Sequence, residues 1–444
     1  MKLSLLILSL VSLVAGCVQF QSQSITATQS NADFTGRSLN DPALKAFLAE
    51  QKAASGPWGV DKLALAAAFF HGDVKVAQAM ADEALAGITI AGQRPNPVLS
   101  FSPGYNSTTS GISPWIITPS LDIPIETAGK RAKRLDQARA EAEAAQLMAV
   151  AAGWDARTKV RDAMLKLYSG RENAKLLKAE IELHDEALKK LDAQVKAGEA
   201  PAFEVTQARL NLNRAKLALH DADKDSATSL AQLASAVGVP SAAIQRISLD
   251  FSAFDSFPSV PSSAARTKAL THRSDLLAAL AEYKATEAAL RLEVAKQYPD
   301  INLGPGYELD QTDNKFTLGL SVELPLLNKN RGQIEQAEAK RKTAAAKFEA
   351  QQAAVFGEIE TALAAYKAAQ AKSATAAKLA EEARHASETT ERMVAAGELG
   401  SLELVRRRIE ASASSLSRLE ARIQAQEALG QIEAALQIPV RSGN

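Results

Sequence analysis

The chain lacks most of the features on which enzymes and nucleic-acid-binding proteins depend. It contains 51 basic and 51 acidic residues, and it has no long basic run with interleaved aromatic residues that would favour a nucleic-acid partner. It has no Gly-rich phosphate-binding loop and no nucleophile beside a recognisable base, and its 5 histidines lack the spacing of metal ligands. The sequence therefore predicts no enzyme, no cofactor, no metal site and no nucleic-acid partner.

Long apolar runs and cysteines are also scarce. Beyond the N-terminus, no apolar run approaches the ~18 residues that a membrane-spanning helix needs. If the chain crosses a bilayer, it must therefore do so with β-strands. Because Cys17 is the single cysteine, the chain cannot form an intramolecular disulfide, although an oxidising compartment outside the cytoplasm would permit one.

The N-terminus has the pattern of an export signal. Lys2 precedes an apolar stretch from Leu3 to Leu13. The tetrad Val14 to Cys17 then resembles the bacterial lipoprotein signal, in which the cysteine carries lipid (palmitate) and becomes the first mature residue. In that system an Asp after the cysteine favours inner-membrane retention, so Val18 agrees with delivery to the outer membrane. The alternative is ordinary signal cleavage near an incidental thiol.

The chain contains a long internal repeat. The segment Pro97 to Tyr105 returns 202 residues later as Pro299 to Tyr307, with matching proline, apolar and glycine positions. Because so long a period is not that of a short-unit solenoid, we infer two homologous halves. The expected segments are a signal peptide over 1–16, a lipidated tether and linker over 17–59, a first repeat over 60–240, a linker over 241–261, a second repeat over 262–440 and a tail over 441–444.

Each half carries two segments with the alternation of a β-strand. Leu99, Phe101 and Tyr105 alternate with small polar residues, as do Leu318 and Leu320 in the second half. Runs of about ten residues with one apolar and one polar face are typical of strands between lipid and a watery lumen. A soluble sheet packed on helices is the alternative. Because membrane barrels need about eight strands or more, four membrane strands per chain would require an oligomer.

The remaining sequence predicts two very long helical hairpins. No proline occurs between Pro124 and Pro201, or between Pro325 and Pro439, and the intervening residues are dominated by Ala, Leu, Glu, Lys, Arg and Gln. A nearly continuous helix over 129–195 would be ~100 Å long. Apolar residues in these segments recur at the alternating three- and four-residue steps of a coiled coil.

This combination resembles the outer-membrane efflux proteins of the TolC family. The resemblance is carried by three segments, Arg94 to Pro97, Gln297 to Ile301 and Ala128 to Arg131. It implies a mainly α protein with a membrane β-barrel, to which each protomer contributes four strands and two long helical hairpins. It also implies a homotrimer, so that three chains form one α/β-barrel duct.

The resemblance also implies a function and partners. The chain would be the passive exit duct of a tripartite exporter, lipid-anchored in the outer membrane, with its helices in the periplasm. Its partners would be outer-membrane lipid, a periplasmic adaptor and an inner-membrane pump. The segment Gly129 to Arg131 is similar to that of heavy-metal exporters in the family. A periplasmic adaptor, or a structural coiled-coil lipoprotein without a pore, is the alternative.

Acidic residues on the polar strand faces are candidates for the pore lining. Asp122 and Glu323 occupy equivalent positions in the two halves, so three chains would place six carboxylates around the lumen. Glu308, nearer to a loop, is a third candidate. A cation-favouring ring is the functional interpretation, and simple solvation of a wide pore is the alternative.

The ends of the helical hairpins are candidates for adaptor contact and gating. By the resemblance, the adaptor-contact residues are Gly198, Glu199, Gly397, Glu398 and Ser401. The candidates for salt links that keep the periplasmic end shut are Glu388, Glu391, Arg392 and Arg406. An ordinary charged flank of a coiled coil is the alternative for this second group.

Overall fold

The computed structural model describes residues 18–108, 110–259 and 263–440. The predicted signal peptide, the predicted lipid site at Cys17 and the predicted tail over 441–444 lie outside the described residues. The described chain consists mainly of helices, with one antiparallel sheet.

Four helices of the first half recur in the same order in the second half. The first half contains α1 (Ala27–Thr35), α2 (Pro42–Glu50), α3 (Val60–Phe70), α4 (Gly72–Gly92), α5 (Lys130–Lys196), α6 (Ala202–Val237) and α7 (Ser241–Gln245). The second half contains α8 (Ser263–His272), α9 (Ser274–Ala295), α10 (Arg331–Ala395) and α11 (Ser401–Leu436). A short 3-10 helix, Ser252–Phe254, lies between them. In both halves a strand pair separates a shorter helix from a long hairpin.

The two hairpins are as long as the sequence predicts. Helix α5 has 67 residues and α10 has 65, so each extends over ~100 Å. Each packs along the helix that follows it, α6 or α11. The first helix ends before Gly198 and the second before Gly397, whose φ angles of 77° and 78° are left-handed and favour glycine. Over the part of the chain that the structure describes, no helix combines enough length with enough hydrophobicity to span a bilayer.

In the described residues the sheet is built from four strand segments. Two of the segments are interrupted, so that six strands result. The strands are β1 (Val98–Phe101), β2 (Gly104–Tyr105), β3 (Trp115–Ile117), β4 (Pro119–Ile125), β5 (Ile301–Asp310) and β6 (Asp313–Val322). The β1–β4 and β2–β3 pairs keep one antiparallel register, so β1 and β2 form one strand and β3 and β4 another. Pro103, which has no amide hydrogen to donate, lies at the first interruption. The sequence predicts the four segments but not their interruptions.

The strand order places the strand pairs of the two halves side by side and leaves two free edges. Strand β4 pairs with β5, which joins the first half to the second, and β5 pairs along its whole length with β6. The outer edges are therefore β1 with β2 on one side and β6 on the other. Both edges present unpaired backbone groups within the protomer.

The main hydrophobic core lies at the middle of the molecule, away from the sheet and the hairpin turns. It includes Leu63, Phe70, Val160, Met164 and Phe254, all nearly inaccessible to solvent. A smaller core in the second half surrounds the fully buried Tyr366. The middle of α5 thus packs against the short helices of the first half, and this packing holds the hairpins in place.

Candidate functional site

The sheet has one continuous apolar face. The register places Leu99 opposite Leu121, and Ile123 opposite Leu303, which is itself opposite Leu320. Apolar side chains therefore neighbour one another across all four strand segments, as the alternation predicts. The opposite face carries mainly Ser, Thr, Gly and acidic residues, together with Lys315 and Ile116.

No helix of the described protomer covers this apolar face. Phe316 is 81 % exposed and Leu318 is 75 % exposed, and the strands pack chiefly on one another. The alternative of a soluble sheet packed on helices is therefore wrong. So large an exposed apolar surface is the kind that contacts lipid or another protein.

The candidate pore-lining acids lie on the polar face, but at different registers. Asp122 is half-buried within β4, whereas Glu323 is exposed and follows the last residue of β6. By continuation of the register, Asp122 lies opposite Gly304, which pairs with Gly319 four residues before Glu323. A single ring of these acids therefore requires tilted strands, because tilt offsets neighbouring strands along the barrel axis.

The third candidate, Glu308, already has a cationic partner. The Lys315 ammonium lies 2.9 Å from Glu308 Oε1 and 3.1 Å from Asp310 Oδ2. This cluster lies near the turn between β5 and β6. Because one lysine offsets part of the negative charge there, Glu308 is a weaker candidate for cation attraction than Asp122.

Ion pairs tie the sheet to the start of the first long helix. Asp300 Oδ1, just before β5, accepts hydrogen bonds from the Thr127 amide at 2.8 Å and from Lys130 Nζ at 2.7 Å. Arg134, one turn along α5, pairs with Glu126. These contacts fix the direction in which the helix leaves the sheet, so the segment that carries part of the family resemblance has a positioning role here.

The two hairpin turns have the same backbone geometry. The amide of Glu199 donates to the carbonyl of Gln194 at 2.8 Å, and the amide of Glu398 donates to that of Met393 at 2.9 Å. Each turn is thus a Schellman motif, which satisfies the last helical carbonyls. A Cβ at Gly198 or Gly397 would meet nothing within 4 Å, so both turns are open to a partner.

The residues after the two turns differ. Pro201 precedes α6, whereas Gly400 precedes α11, whose first residue is Ser401. The Ser401 hydroxyl accepts a hydrogen bond from Lys190 Nζ, on the first hairpin, at 3.1 Å. Within the protomer, Ser401 therefore helps to join the two hairpins.

The four gate candidates are in different environments. Arg406 lies 3.4 Å from Glu204 of the first hairpin, and Glu391 pairs with Arg408 at 2.9 Å across the second. Glu388 pairs with Arg384 of its own helix, and Arg392 donates to the Thr389 hydroxyl at 3.1 Å, also within α10. Only Arg406 and Glu391 therefore hold different helices together in the described protomer.

Sequence reasoning missed a buried charged cluster at the middle of the molecule. Arg161 is only 4 % exposed; its Nε lies 3.1 Å from Glu433 Oε2, and its guanidinium donates to the carbonyl of Gln426 at 2.8 Å. Arg157 also pairs with Glu433, at 2.9 Å. Burial lowers the pKa of Arg161, and the Glu433 carboxylate opposes that shift. The cluster joins α5 to α11 and hence one half of the chain to the other.

Among the described residues, side chains suited to holding a metal are not grouped. Within residues 18–108, 110–259 and 263–440, no group of three or more His, Cys, Asp or Glu side chains could bind a metal ion. The sheet faces and the hairpin turns are therefore the candidate functional surfaces.

Comparison with protein families gives a match in both halves of the chain. The family model described as outer membrane efflux protein matches residues 70–239 and 265–436. These two ranges each contain a strand pair and a long helical hairpin.

Individual proteins give matches of the same kind. The cobalt-zinc-cadmium resistance protein CzcC of Cupriavidus metallidurans is 25 % identical over 288 residues, which are 64 % of this chain and 67 % of that protein. The outer membrane protein VceC from Vibrio cholerae has a TM-score of 0.69 at 18 % identity, with 90 % of this chain and 100 % of that chain covered. The open state of the Neisseria gonorrhoeae MtrE outer membrane channel has a TM-score of 0.70 at 16 % identity, with coverage of 86 % and 89 %. The structural likeness shows that the fold is that of these channels.

Proposed function

The chain belongs to the outer membrane efflux protein family, and we propose that three copies assemble into a passive exit duct that carries metal cations. As a member of that family, it is an outer-membrane channel component of an efflux system. The proposal adds the number of copies, the cargo and the sites of contact with other components.

The uncovered apolar face of the sheet is the observation that carries the proposal. Backbone groups in hydrocarbon must all be paired, so a sheet with two free edges cannot remain open in a membrane. One chain supplies four strand segments, fewer than the about eight that a membrane barrel needs. Three copies would supply twelve strands, a number that lets one barrel surround a lumen lined by the polar face.

The cargo is proposed from the relative and from the charges on the polar face. CzcC is named as a cobalt-zinc-cadmium resistance protein, and it is 25 % identical to this chain over 288 residues. Asp122 and Glu323 have carboxylates on the face that would line the lumen. Rings of acidic side chains favour cations in channels. Cobalt, zinc and cadmium ions are therefore the proposed cargo, with transport energy supplied by a partner pump.

The two ends of the duct are proposed to make different contacts. A lipid on Cys17 would hold the N-terminus at the outer membrane, close to the sheet. The open turns at Gly198 and Gly397, about 100 Å away along the helices, would contact the periplasmic adaptor. Because Pro201 and Ala202 stand where the second turn has Gly400 and Ser401, the two turns would present different surfaces to it.

Conductance of the full chain in planar bilayers tests the duct and its lining together. We expect ion passage with a preference for cations, and a reduced cation-to-anion permeability ratio in the Asp122→Asn, Glu323→Gln double variant. Glu308→Gln is the matched control, because Lys315 already pairs with that carboxylate. Protein that has the mass of a trimer and yet conducts nothing would contradict the duct.

The cargo is tested in cells. Deletion of the gene is expected to lower the inhibitory concentrations of zinc, cobalt and cadmium salts several-fold, and the wild-type gene should restore them. Bulky apolar drugs serve as the control. A deletion strain that becomes sensitive to those drugs and keeps its metal resistance would contradict metal cations as the cargo.

A further inference from the structure

The two halves of the chain differ where the second strand leads into the long helix. In the first half, Lys130 is 7 % exposed, and its ammonium lies 2.7 Å from Asp300 Oδ1. Its equivalent in the second half is Arg331, which is exposed and has no carboxylate partner within residues 18–108, 110–259 and 263–440. The equivalent of Asp300 is Val98, so the repeat supplies no such acid to Arg331. The second junction therefore has an unpaired guanidinium where the first has a buried ion pair.

The second junction is also more apolar than the first. Leu327 stands where the first half has Glu126, and it is fully exposed, whereas the preceding Leu326 is 78 % exposed. Lys329, two residues further on, is exposed and, like Arg331, has no carboxylate partner among the described residues. The junction segment, Leu326 to Arg331, thus combines two uncovered leucines with two unpaired cations.

Hydrogen bonds hold the junction segment against α9. Asn330 Nδ2 donates to the main-chain carbonyl of Glu293 at 2.8 Å and to its carboxylate at 2.9 Å. The Asn330 amide donates to Asn328 Oδ1 at 2.9 Å. Because Asn330 is fixed in this way, Lys329 and Arg331 lie on either side of an anchored residue.

The strand length would place the junction segment at the membrane surface. Strand β6 has 10 residues, which rise about 25 Å when a strand is tilted by ~40°. The apolar band of a membrane barrel is also ~25 Å tall, so the residues after Val322 would leave the hydrocarbon. Tyr298, which precedes β5 at the same end of the sheet, is 62 % exposed, and tyrosines are enriched at membrane interfaces.

Further cations surround the same end of the sheet. Arg94 precedes β1, and Arg131 lies in the first turn of α5; both are exposed and have no carboxylate partner in the described part of the chain. At the opposite end, the turn between β5 and β6 carries Asp310 and Asp313, with Lys315 beside them. Unpaired positive charge is thus concentrated where the helices begin, and it attracts anionic groups to that level.

We propose that the junction segment binds an anionic phospholipid in the periplasmic leaflet of the outer membrane. Lys329 and Arg331 contact the phosphate of the head group, and the two leucines pack on the acyl chains. This inference rests on the membrane position of the sheet in the proposed function, and it adds a class of lipid and the residues that select it.

Charge and apolar contact together favour a lipid over a small anion. Two neighbouring cations attract a head group of net negative charge more strongly than a zwitterionic one. The exposed leucines are stabilised by removal from water, which acyl chains provide and inorganic phosphate does not. Phosphatidylglycerol should therefore bind more tightly than phosphatidylcholine of the same chain length, and more tightly than inorganic phosphate.

Native mass spectrometry of the full-length, detergent-solubilised protein counts the bound lipids. The three probes are phosphatidylglycerol, phosphatidylcholine of the same chain length and inorganic phosphate. The Lys329→Gln, Arg331→Gln double variant should bind phosphatidylglycerol about 20-fold more weakly, because each basic residue near an anionic surface contributes about fivefold. Its trimeric mass and its conductance should be unchanged.

Two further double variants complete the test. Lys367→Gln with Lys378→Gln removes the same charge from exposed residues of α10, more than ~50 Å along the helix from Arg331, and should leave lipid binding unchanged. Leu326→Ser with Leu327→Ser keeps both cations of the junction segment. It should weaken the binding of phosphatidylglycerol several-fold, because the acyl chains lose their apolar contact.

The outcomes distinguish this inference from the proposed function. A conducting trimer that prefers neither phospholipid, or whose preference survives in the Lys329 and Arg331 variant, would overturn the lipid site and leave the duct standing. Phosphate bound as tightly as phosphatidylglycerol would also overturn it. A leucine variant with the mass of one chain would mean that another copy covers the leucines, and would overturn the lipid site as well. Wild-type protein with the mass of one chain would overturn the duct itself.

Discussion

The middle of the molecule and the sheet differ in how far their side chains are exposed to solvent. In the middle, Arg161 is 4 % exposed, and its guanidinium pairs with Glu433 and Gln426 of the same chain. In the sheet, Phe316 is 81 % exposed and has nothing but neighbouring strands beside it. The core in the middle is complete in one protomer, whereas the sheet leaves an exposed apolar face and two strand edges that are unpaired within the protomer. The fold of one chain and its assembly therefore depend on separate parts of the sequence.

Removal of the shared carboxylate in the middle is expected to have the largest effect. Glu433 pairs with Arg157 at 2.9 Å and with Arg161 at 3.1 Å, so Glu433→Ala removes the carboxylate that pairs with the buried Arg161, whereas Arg157 keeps its pair with Asp61 at 3.1 Å. The loss of one partner of a buried ion pair costs about 3–5 kcal/mol. Thermal unfolding of the detergent-solubilised protein, followed by circular dichroism, measures the effect.

Its matched control lies on the surface of α10. Glu381 pairs with Arg384 in an exposed position, and Glu381→Ala should leave the unfolding temperature nearly unchanged. If both variants lost the same stability, the middle would not be the self-sufficient region that its burial indicates.

A charge placed on either face of β6 tests whether its apolar face contacts lipid. Leu318 points to the apolar face and Thr317 to the polar face of β6. Leu318→Lys should lower the amount of assembled protein in the outer membrane, because a lysine facing lipid near the bilayer centre costs about 2–4 kcal/mol. Thr317→Lys should assemble normally. Equal assembly of both variants would mean that lipid does not contact the face that carries Leu318.

Much of this organisation could be predicted from the sequence, for physical reasons. The long helices follow from the absence of proline and the abundance of strong helix formers, and the predicted helix over 129–195 agrees with the observed Lys130–Lys196. The strand faces follow from strict alternation, whose period of two leaves little ambiguity. Family resemblance and structure agree on a TolC-like duct fold.

The remaining features depend on contacts between distant residues. Arg161 and Gln426 are 265 positions apart, and nothing beside Arg161 in a helix rich in Arg and Glu distinguishes it from a solvated residue. The partners of the gate candidates were equally unpredictable, because neighbours one turn away in the same helix compete with those across the hairpin. Arg392, for example, bonds Thr389 of its own helix.

A lower pH is expected to affect the stability provided by two equivalent aspartates, Asp275 and Asp73, to different extents. Burial alone would raise the pKa of Asp275, but its two hydrogen bonds to Arg273, at 2.6 and 3.0 Å, outweigh that effect and hold the pKa below its usual value. This stabilisation is present above the unfolded pKa of about 3.9 and is lost as the pH falls through the lower folded value. The unfolding temperature should therefore drop more steeply below about pH 4 in the wild type than in Asp275→Asn.

The control for this pH effect is the equivalent residue of the first half. Asp73, 202 positions earlier, pairs with Lys159 at 3.0 Å but is exposed. Asp73→Asn should change the pH profile little, because solvent screens exposed pairs. If the unfolding temperature of Asp275→Asn fell with pH as steeply as that of the wild type, the pair with Arg273 would not be the cause of the pH dependence.

The hairpin ends should give the smallest effect, because their ion pairs are exposed on both sides. Arg406→Ala removes the 3.4 Å contact with Glu204 that joins the two hairpins, whereas Arg407→Ala removes only contacts with Glu403 and Glu410 of its own helix. Exposed pairs contribute at most about 1 kcal/mol, so Arg406→Ala should raise the conductance or open probability in planar bilayers only a few-fold. Arg407→Ala should leave both unchanged. An equal rise in the two variants would show that general loss of positive charge, and not separation of the hairpins, opens the periplasmic end.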